Sequence, residues 1–170
     1  MFLGVDKSNH GKLPEIFVGC YSKDSSKIIK GDFGKPRNER DPFPKATYQH
    51  IVFDTKEDRI VGRTNFQVIA ACELARRVNR IRRLEKLFID GKIMKRTLCK
   101  LEKMMNHFLP RTELIFGKGL DKKIPLVNTA DRMAYLLYLY YSATSKTPKN
   151  QYLNTIVTPR LEDYFKFIDT

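Results

Sequence analysis

The sequence has few cysteines and no tryptophan. Cys20, Cys72 and Cys99 are odd in number and widely spaced, which fits neither a disulfide framework nor a zinc site. They read as buried thiols in a reducing compartment. No uninterrupted apolar run reaches about 18 residues, so no membrane span is expected. The N-terminus, Met-Phe-Leu-Gly-Val-Asp, has no basic stretch before an apolar run and does not read as a signal peptide. A cytoplasmic location is the expectation. With Gly 9 and Pro 8, collagen-like and low-complexity chains are excluded. Neither GxxxxGK[ST] nor GxGxxG occurs, so a P-loop or Rossmann nucleotide site has no support. Acids are scarce as well: Asp and Glu total 19 against 32 Lys and Arg, a formal charge of +13.

What is present is core material. Hydrophobic residues make up 42% of the 170, with 11 Phe and 8 Tyr, which excludes wholesale disorder. One domain over 1–170 is the natural count, with a polar, breaker-rich loop insertion at 22–47 and a C-terminal extension at 146–170. The positive surplus argues for a polyanionic partner, because Lys and Arg displace counterions from phosphates. It is patterned: Arg76, Arg77, Arg80, Arg82 and Arg83 stand together with no acid, and Lys92, Lys95, Arg96, Lys100 and Lys103 face Glu102 alone. A solvated helix surface is the other reading of these runs.

Short apolar runs at 1–5, 16–21 and 50–54 predict three strands, with a small further strand at 28–29 and a turn at 56–58. Thr64 reads as the N-cap of a helix over 65–83. Leu87-Phe88-Ile89 is a compact strand ending at Asp90-Gly91. Met94, Leu98, Leu101, Met105 and Phe108 fall on one face of a helix over 93–108. Residues 113–116 make a fifth strand, and Asn128 caps a helix running to about 144. A short amphipathic helix fits 160–168. The order predicts an α/β fold: a mixed five-stranded sheet, three antiparallel strands then alternating helix and strand, with helices on both faces.

That order sends three aspartates to one edge. Asp6 closes the first strand, Asp90 the fourth, and Asp131 lies in the first turn of the last helix. Ligands of open α/β sheets gather beyond the carboxyl ends of parallel strands. Carboxylates crowded there repel one another and call for a cation, and oxygen ligands suit Mg²⁺ or Mn²⁺. Two such ions about 4 Å apart can activate water and stabilise a leaving oxygen in phosphodiester cleavage. Each aspartate also has a structural explanation: a strand end, an Asp-Gly turn, and an acid at a helix N-terminus.

The pattern resembles the RNase H-like superfamily over roughly residues 1–145. The matching segments are Gly4-Val5-Asp6-Lys7-Ser8, Phe88-Ile89-Asp90-Gly91, and Pro125-Leu126-Val127-Asn128-Thr129-Ala130-Asp131-Arg132-Met133-Ala134-Tyr135. They are also similar to a prokaryotic branch of that fold which reads Asp-Glu-Ser-Gly at the first aspartate and Pro-x-x-Gln-x-Ala-Asp at the last. The resemblance implies Asp6, Asp90 and Asp131 as catalytic metal ligands, with Mg²⁺ or Mn²⁺ as cofactor. Gln67 stands near the first-helix glutamate of ribonuclease H, as a further ligand through its carbonyl. Lys7 replaces the glutamate of the prokaryotic motif. The loop histidine of ribonuclease H is absent, and Lys118, Lys122 and Lys123 stand there instead.

Two function classes follow. One is a divalent-metal nuclease, with Lys7, Arg76, Arg77, Arg80, Lys118 and Lys122 holding nucleic acid. The other is a non-catalytic nucleic-acid-binding or protein-interaction domain with a decayed site. Tyr135, Tyr138, Tyr140 and Tyr141 on the last helix serve either core packing or a homodimer interface. No membrane partner is expected.

Overall fold

The computed structural model describes residues 1–8, 11–24, 47–142 and 155–168. The 28–29 strand and most of the 22–47 insertion lie outside the described residues. A five-stranded sheet has the order β3-β2-β1-β4-β5. β1 (Phe2–Lys7), β2 (Glu15–Ser22) and β3 (Tyr48–Phe53) form an antiparallel meander. β4 (Lys86–Asp90) and β5 (Glu113–Gly117) continue parallel to β1. Helices α2 (Phe66–Ile81) and α3 (Lys95–Phe108) make the crossovers and cover one face. Helix α4 (Pro125–Tyr141) covers the other. This is the predicted α/β fold, with a mixed sheet between helices.

Strand alternation divides the core. Leu3 and Val5 of β1 and Phe17 of β2 point at α2 and are essentially unexposed. Ile16, Val18 and Cys20 point at Leu126, Ala130, Ala134 and Leu137 of α4. Successive strand residues take opposite faces, so each face gets its own apolar set.

Several boundaries differ from the sequence reading, each for a local reason. The predicted 56–58 turn is a helix, α1 (Thr55–Val61). Asp54 caps it by accepting from Lys56 N at 2.7 Å, while Glu57 reaches back to Asp54 N at 3.0 Å, a complete capping box. Thr64 does not cap α2; it sits in a 3-10 turn, Arg63–Asn65, and Asn65 takes the cap position. Nor does Asn128 cap α4: the helix starts at Pro125, whose fixed φ suits a first helical position. Asp131 therefore lies in the second turn, not the first. Met94 precedes α3 and is 66% exposed, while Leu101 and Met105 of the predicted face are buried, joined by Met104, and Phe108 packs against the core. Cys20 and Cys72 are buried as expected, but Cys99 is exposed.

Residues 155–168 are tied into the main core. After a 3-10 turn (Leu161–Tyr164), α5 (Phe165–Ile168) packs Phe167 and Ile168 with α2 and α3, and Tyr164 is wholly buried. His50 ties the same segment to the opposite layer. Its Nδ1 lies 3.0 Å from Thr155 Oγ1 and its Nε2 2.9 Å from Tyr141 Oη. Burial pushes the pKa of its imidazolium down to about 4, against a bond with Thr155 that pulls the other way, so the ring is neutral. Tyr138, Tyr140 and Tyr141 pack against the α4-side core, which supports the packing role for these rings. Among the described residues no helix is long and apolar enough to cross a membrane.

Candidate metal centre and its surroundings

The parallel register of β1 and β4 carries Val5 beside Ile89. The next residues, Asp6 and Asp90, therefore leave the sheet side by side. Asp6 is 6% exposed and its Oδ1 accepts from Lys7 N at 2.7 Å. Asp90 Oδ1 accepts from Leu120 N at 2.6 Å, which pins the loop after β5 to the end of β4. That loop turns through a short 3-10 segment, Leu120–Lys122, and brings Asp121 to the same edge.

Asp131 arrives from α4, and Gly4 sets how closely. A Cβ on Gly4 would stand 2.6 Å from Val127 N and 2.7 Å from Leu126 C, both backbone atoms. The first turn of α4 thus lies directly on β1. Gly4 and Asp6 share this face of the strand, so the contact that admits α4 also draws Asp131 toward Asp6.

The electrostatics register the convergence. Asp6 has its pKa pushed up to about 8. Burial is the largest cause, the Lys7 N–H opposes it, and the charges of Asp131, Asp90 and Asp121 raise it further. All three predicted aspartates are therefore within electrostatic reach of one point. Asp121 was not singled out in the sequence. Its only signal there is its place in the loop that must return to this edge.

Among the described residues no three His, Cys, Asp or Glu side chains form a ready-made metal cage. The donors nonetheless suit a hard divalent cation. They are all carboxylates, they repel one another, and Asp6 and Asp90 each spend one oxygen on a backbone N–H and keep a second.

Lys7, although next to Asp6, points to the opposite face. Its Nζ lies 4.0 Å from Glu15 Oε2 and 5.9 Å from the Phe17 ring centroid. Gln67 lies at the start of α2, where its Nε2 would be 3.9 Å from a Cβ on Gly91. Lys7 and Gln67 line one cavity with Glu15, Arg63, Thr64, Lys92, Ile93, Met94 and Thr97. Lys118 and Lys122 are exposed on the loop that carries Asp121. Ser8 is buried, and its Oγ accepts from Ile16 N at 3.1 Å, a structural bond.

The arginine run lies elsewhere. α2 leads from Gln67 at this edge away to Arg80, about 20 Å along the helix axis. Arg76 reaches Asp163 at 2.9 Å, Tyr164 Oη at 3.1 Å and Glu73 at 3.3 Å, and stacks 4.2 Å over the Phe108 ring. Arg77 Nε bonds the buried Glu73 at 2.8 Å. Arg76 clamps the C-terminal segment to α2, Arg77 pairs with Glu73 within the helix, and Arg80 is exposed.

Neither a protein-family profile nor a curated protein sequence matches the chain. Solved structures resemble it, two of them as follows. One is the PCNA:RNase HII complex from Archaeoglobus fulgidus, a chain of which matches with a TM-score of 0.61 at 15% identity, covering 85% of this chain and 78% of that one. The other is ribonuclease H2 from Pyrococcus horikoshii OT3, with a TM-score of 0.57 at 17% identity, covering 99% and 89%. At such identities the likeness concerns the fold. With its sheet order, its helix layers and these structural relatives together, the chain has the RNase H-like fold.

Proposed function

We propose that this protein is a divalent-metal-dependent nuclease that cleaves phosphodiester bonds, with Asp6, Asp90 and Asp131 as metal ligands and Mg²⁺ or Mn²⁺ as cofactor. The observation that carries the reading is Asp6, whose proton is held first by burial and further by the charges of Asp131, Asp90 and Asp121, at the end of two parallel strands. Such a group is costly unless a cation is its partner. When bound, a pair of divalent ions would activate the attacking water and stabilise the leaving oxygen. As a ligand Asp6 would have to be ionised, so its carboxyl proton would be displaced by a bound cation. Asp90, held by Leu120 N, presents its second oxygen from a fixed position. Lys118 and Lys122 draw a polyanion to this edge. The likeness to ribonuclease HII structures supports the same reading.

A second reading, nucleic-acid binding without cleavage, draws on two observations. Lys7 occupies the position of a motif glutamate, and the carboxylates do not form a ready-made cage. Cleavage separates the two. Labelled single-stranded DNA, RNA and RNA–DNA hybrid are incubated with wild type, Asp6→Asn and Asp131→Asn, with Mn²⁺ or Mg²⁺ and with chelator. The proposal expects metal-dependent cleavage that each variant lowers by at least about 100-fold, since even groups that only support metal ligands cost 10–100-fold. Binding without cleavage at any metal concentration selects the second reading.

A further inference from the structure

On the other side of β1 from the carboxylates lies a cavity of about 260 Å³. Among the described residues three cations line it, Lys7, Arg63 and Lys92, against one acid, Glu15, with Thr64, Gln67 and Thr97 as uncharged hydrogen-bonding groups. We propose that this cavity seats a backbone phosphate of the nucleic acid, next to the one engaged by the aspartates. The inference rests on the nuclease reading for its substrate class, and on the cavity's own chemistry for its ligand.

Its construction favours an oxyanion. Glu15 is 7% exposed and takes the Nε of Arg63, with Lys7 Nζ at 4.0 Å. It thus fixes two cations at the rim. Binding through Nε leaves the terminal nitrogens of Arg63 as a fork for phosphate oxygens. One carboxylate cannot balance three cations, so the described lining carries a surplus of two positive charges. Were these side chains present only to neutralise Glu15, Arg63 would suffice, and Lys92 would have no reason to face the same space.

Position ties the cavity to the site. Asp6 and Lys7 are consecutive on β1 and so project from opposite faces of one strand end. Gln67, on the cavity wall, adjoins Gly91, the residue after Asp90. A strand of nucleic acid crossing the ends of β1 and β4 passes from carboxylates to cations within one step of the chain.

The test uses the full chain in chelator, so that binding is read without cleavage. The variants are Lys7→Gln, Lys92→Gln and the double variant. Lys92 is exposed and Lys7 a third exposed, whereas removing Arg63 would strand the buried Glu15. Arg111→Gln is the control, an exposed cation at the far end of β5. Fluorescence anisotropy follows a short labelled DNA strand, alone and paired with RNA, over a salt series. A second series carries one neutral methylphosphonate stepped along the strand. The double variant is expected to bind about 10-fold more weakly and to lower the salt slope by about 2, one for each cation lost, with the control unchanged. One methylphosphonate position weakens wild type and leaves the double variant indifferent. Wild-type affinity and slope in the double variant would overturn the proposal even if metal-dependent cleavage is found. So would a pocket that takes inorganic phosphate in competition while no single methylphosphonate position matters, which would assign it to free phosphate. If cleavage is absent but the positional effect survives, the nuclease reading fails and the phosphate seat stands.

Discussion

Asp6→Asn is expected to make the metal-free protein more stable, by roughly 2–3 kcal/mol near pH 8. The sign follows from linkage. The folded-state pKa of Asp6 is about 8, against an ordinary value of 3.8. Below about pH 4 the carboxyl is protonated in both states and contributes no difference. Between about pH 4 and 8 the unfolded chain ionises first, so wild-type stability falls as pH rises. Above about 8 the full deficit remains, with a ceiling of about 6 kcal/mol for a shift of this size. Relaxation and water penetration reduce the realised part. Asparagine keeps the shape and removes the titration. Urea denaturation of both proteins in chelator, from pH 4 to 9, should show curves that converge in acid and separate as pH rises. Parallel curves would mean that Asp6 is not held proton-bound by its neighbours. A group that destabilises the fold it belongs to is what a site selected for another purpose should contain.

Gly4→Ala is expected to act in the opposite direction and at least as strongly as ordinary overpacking, about 1–3 kcal/mol or more. The added methyl would meet Val127 N at 2.6 Å, Leu126 C at 2.7 Å and Leu126 Cβ at 2.8 Å. Two of these are backbone atoms, so no rotamer change relieves the contact, and α4 must move off β1. Gly19→Ala is the internal comparison. There the neighbours are side-chain atoms, led by Leu3 Cδ1 at 2.9 Å, which can swing away at smaller cost. A lower urea midpoint with unchanged slope is the expected result for Gly4→Ala. The consequence for the site is larger than the stability loss. A displaced α4 carries Asp131 away from Asp6, so metal-dependent stabilisation should weaken even in the folded fraction. If Gly4→Ala melts and binds metal like wild type, the close approach does not set the site's geometry.

Much of the fold was legible because it depends on local patterns. Alternating short apolar runs marked the five strands, and the change to helical spacing marked α2, α3 and α4. The juxtaposition of Asp6 with Asp90 was legible only on the condition that the first and fourth strands are neighbours, and the parallel pairing of β1 with β4 meets that condition. What escaped depended on contacts distant in sequence. Arg76 read as surface charge because its partner Asp163 is 87 residues away. Lys7 read as a nucleic-acid contact at the position of a motif glutamate, and the sequence does not display that its ammonium turns to Glu15 on the face opposite Asp6. Asp121 could not be separated from the acids of an ordinary loop until Leu120 N was seen to hold Asp90. The cap of α4 lies four residues before Asn128, which is a good cap in isolation, because Pro125 suits the first helical position. Gly4 was quoted within a motif, but the reason for a glycine there is the backbone of α4, which the sequence does not display.

The central claim is that Asp6, Asp90 and Asp131 converge on a divalent cation. Thermal melting of wild type and of Asp6→Asn/Asp131→Asn, each titrated with Mn²⁺ and Mg²⁺, tests it most directly, because a ligand that binds only the folded state raises Tm by mass action. A Tm that climbs with metal in wild type and stays flat in the double variant is the predicted result. Flat curves for both proteins up to millimolar metal would contradict it.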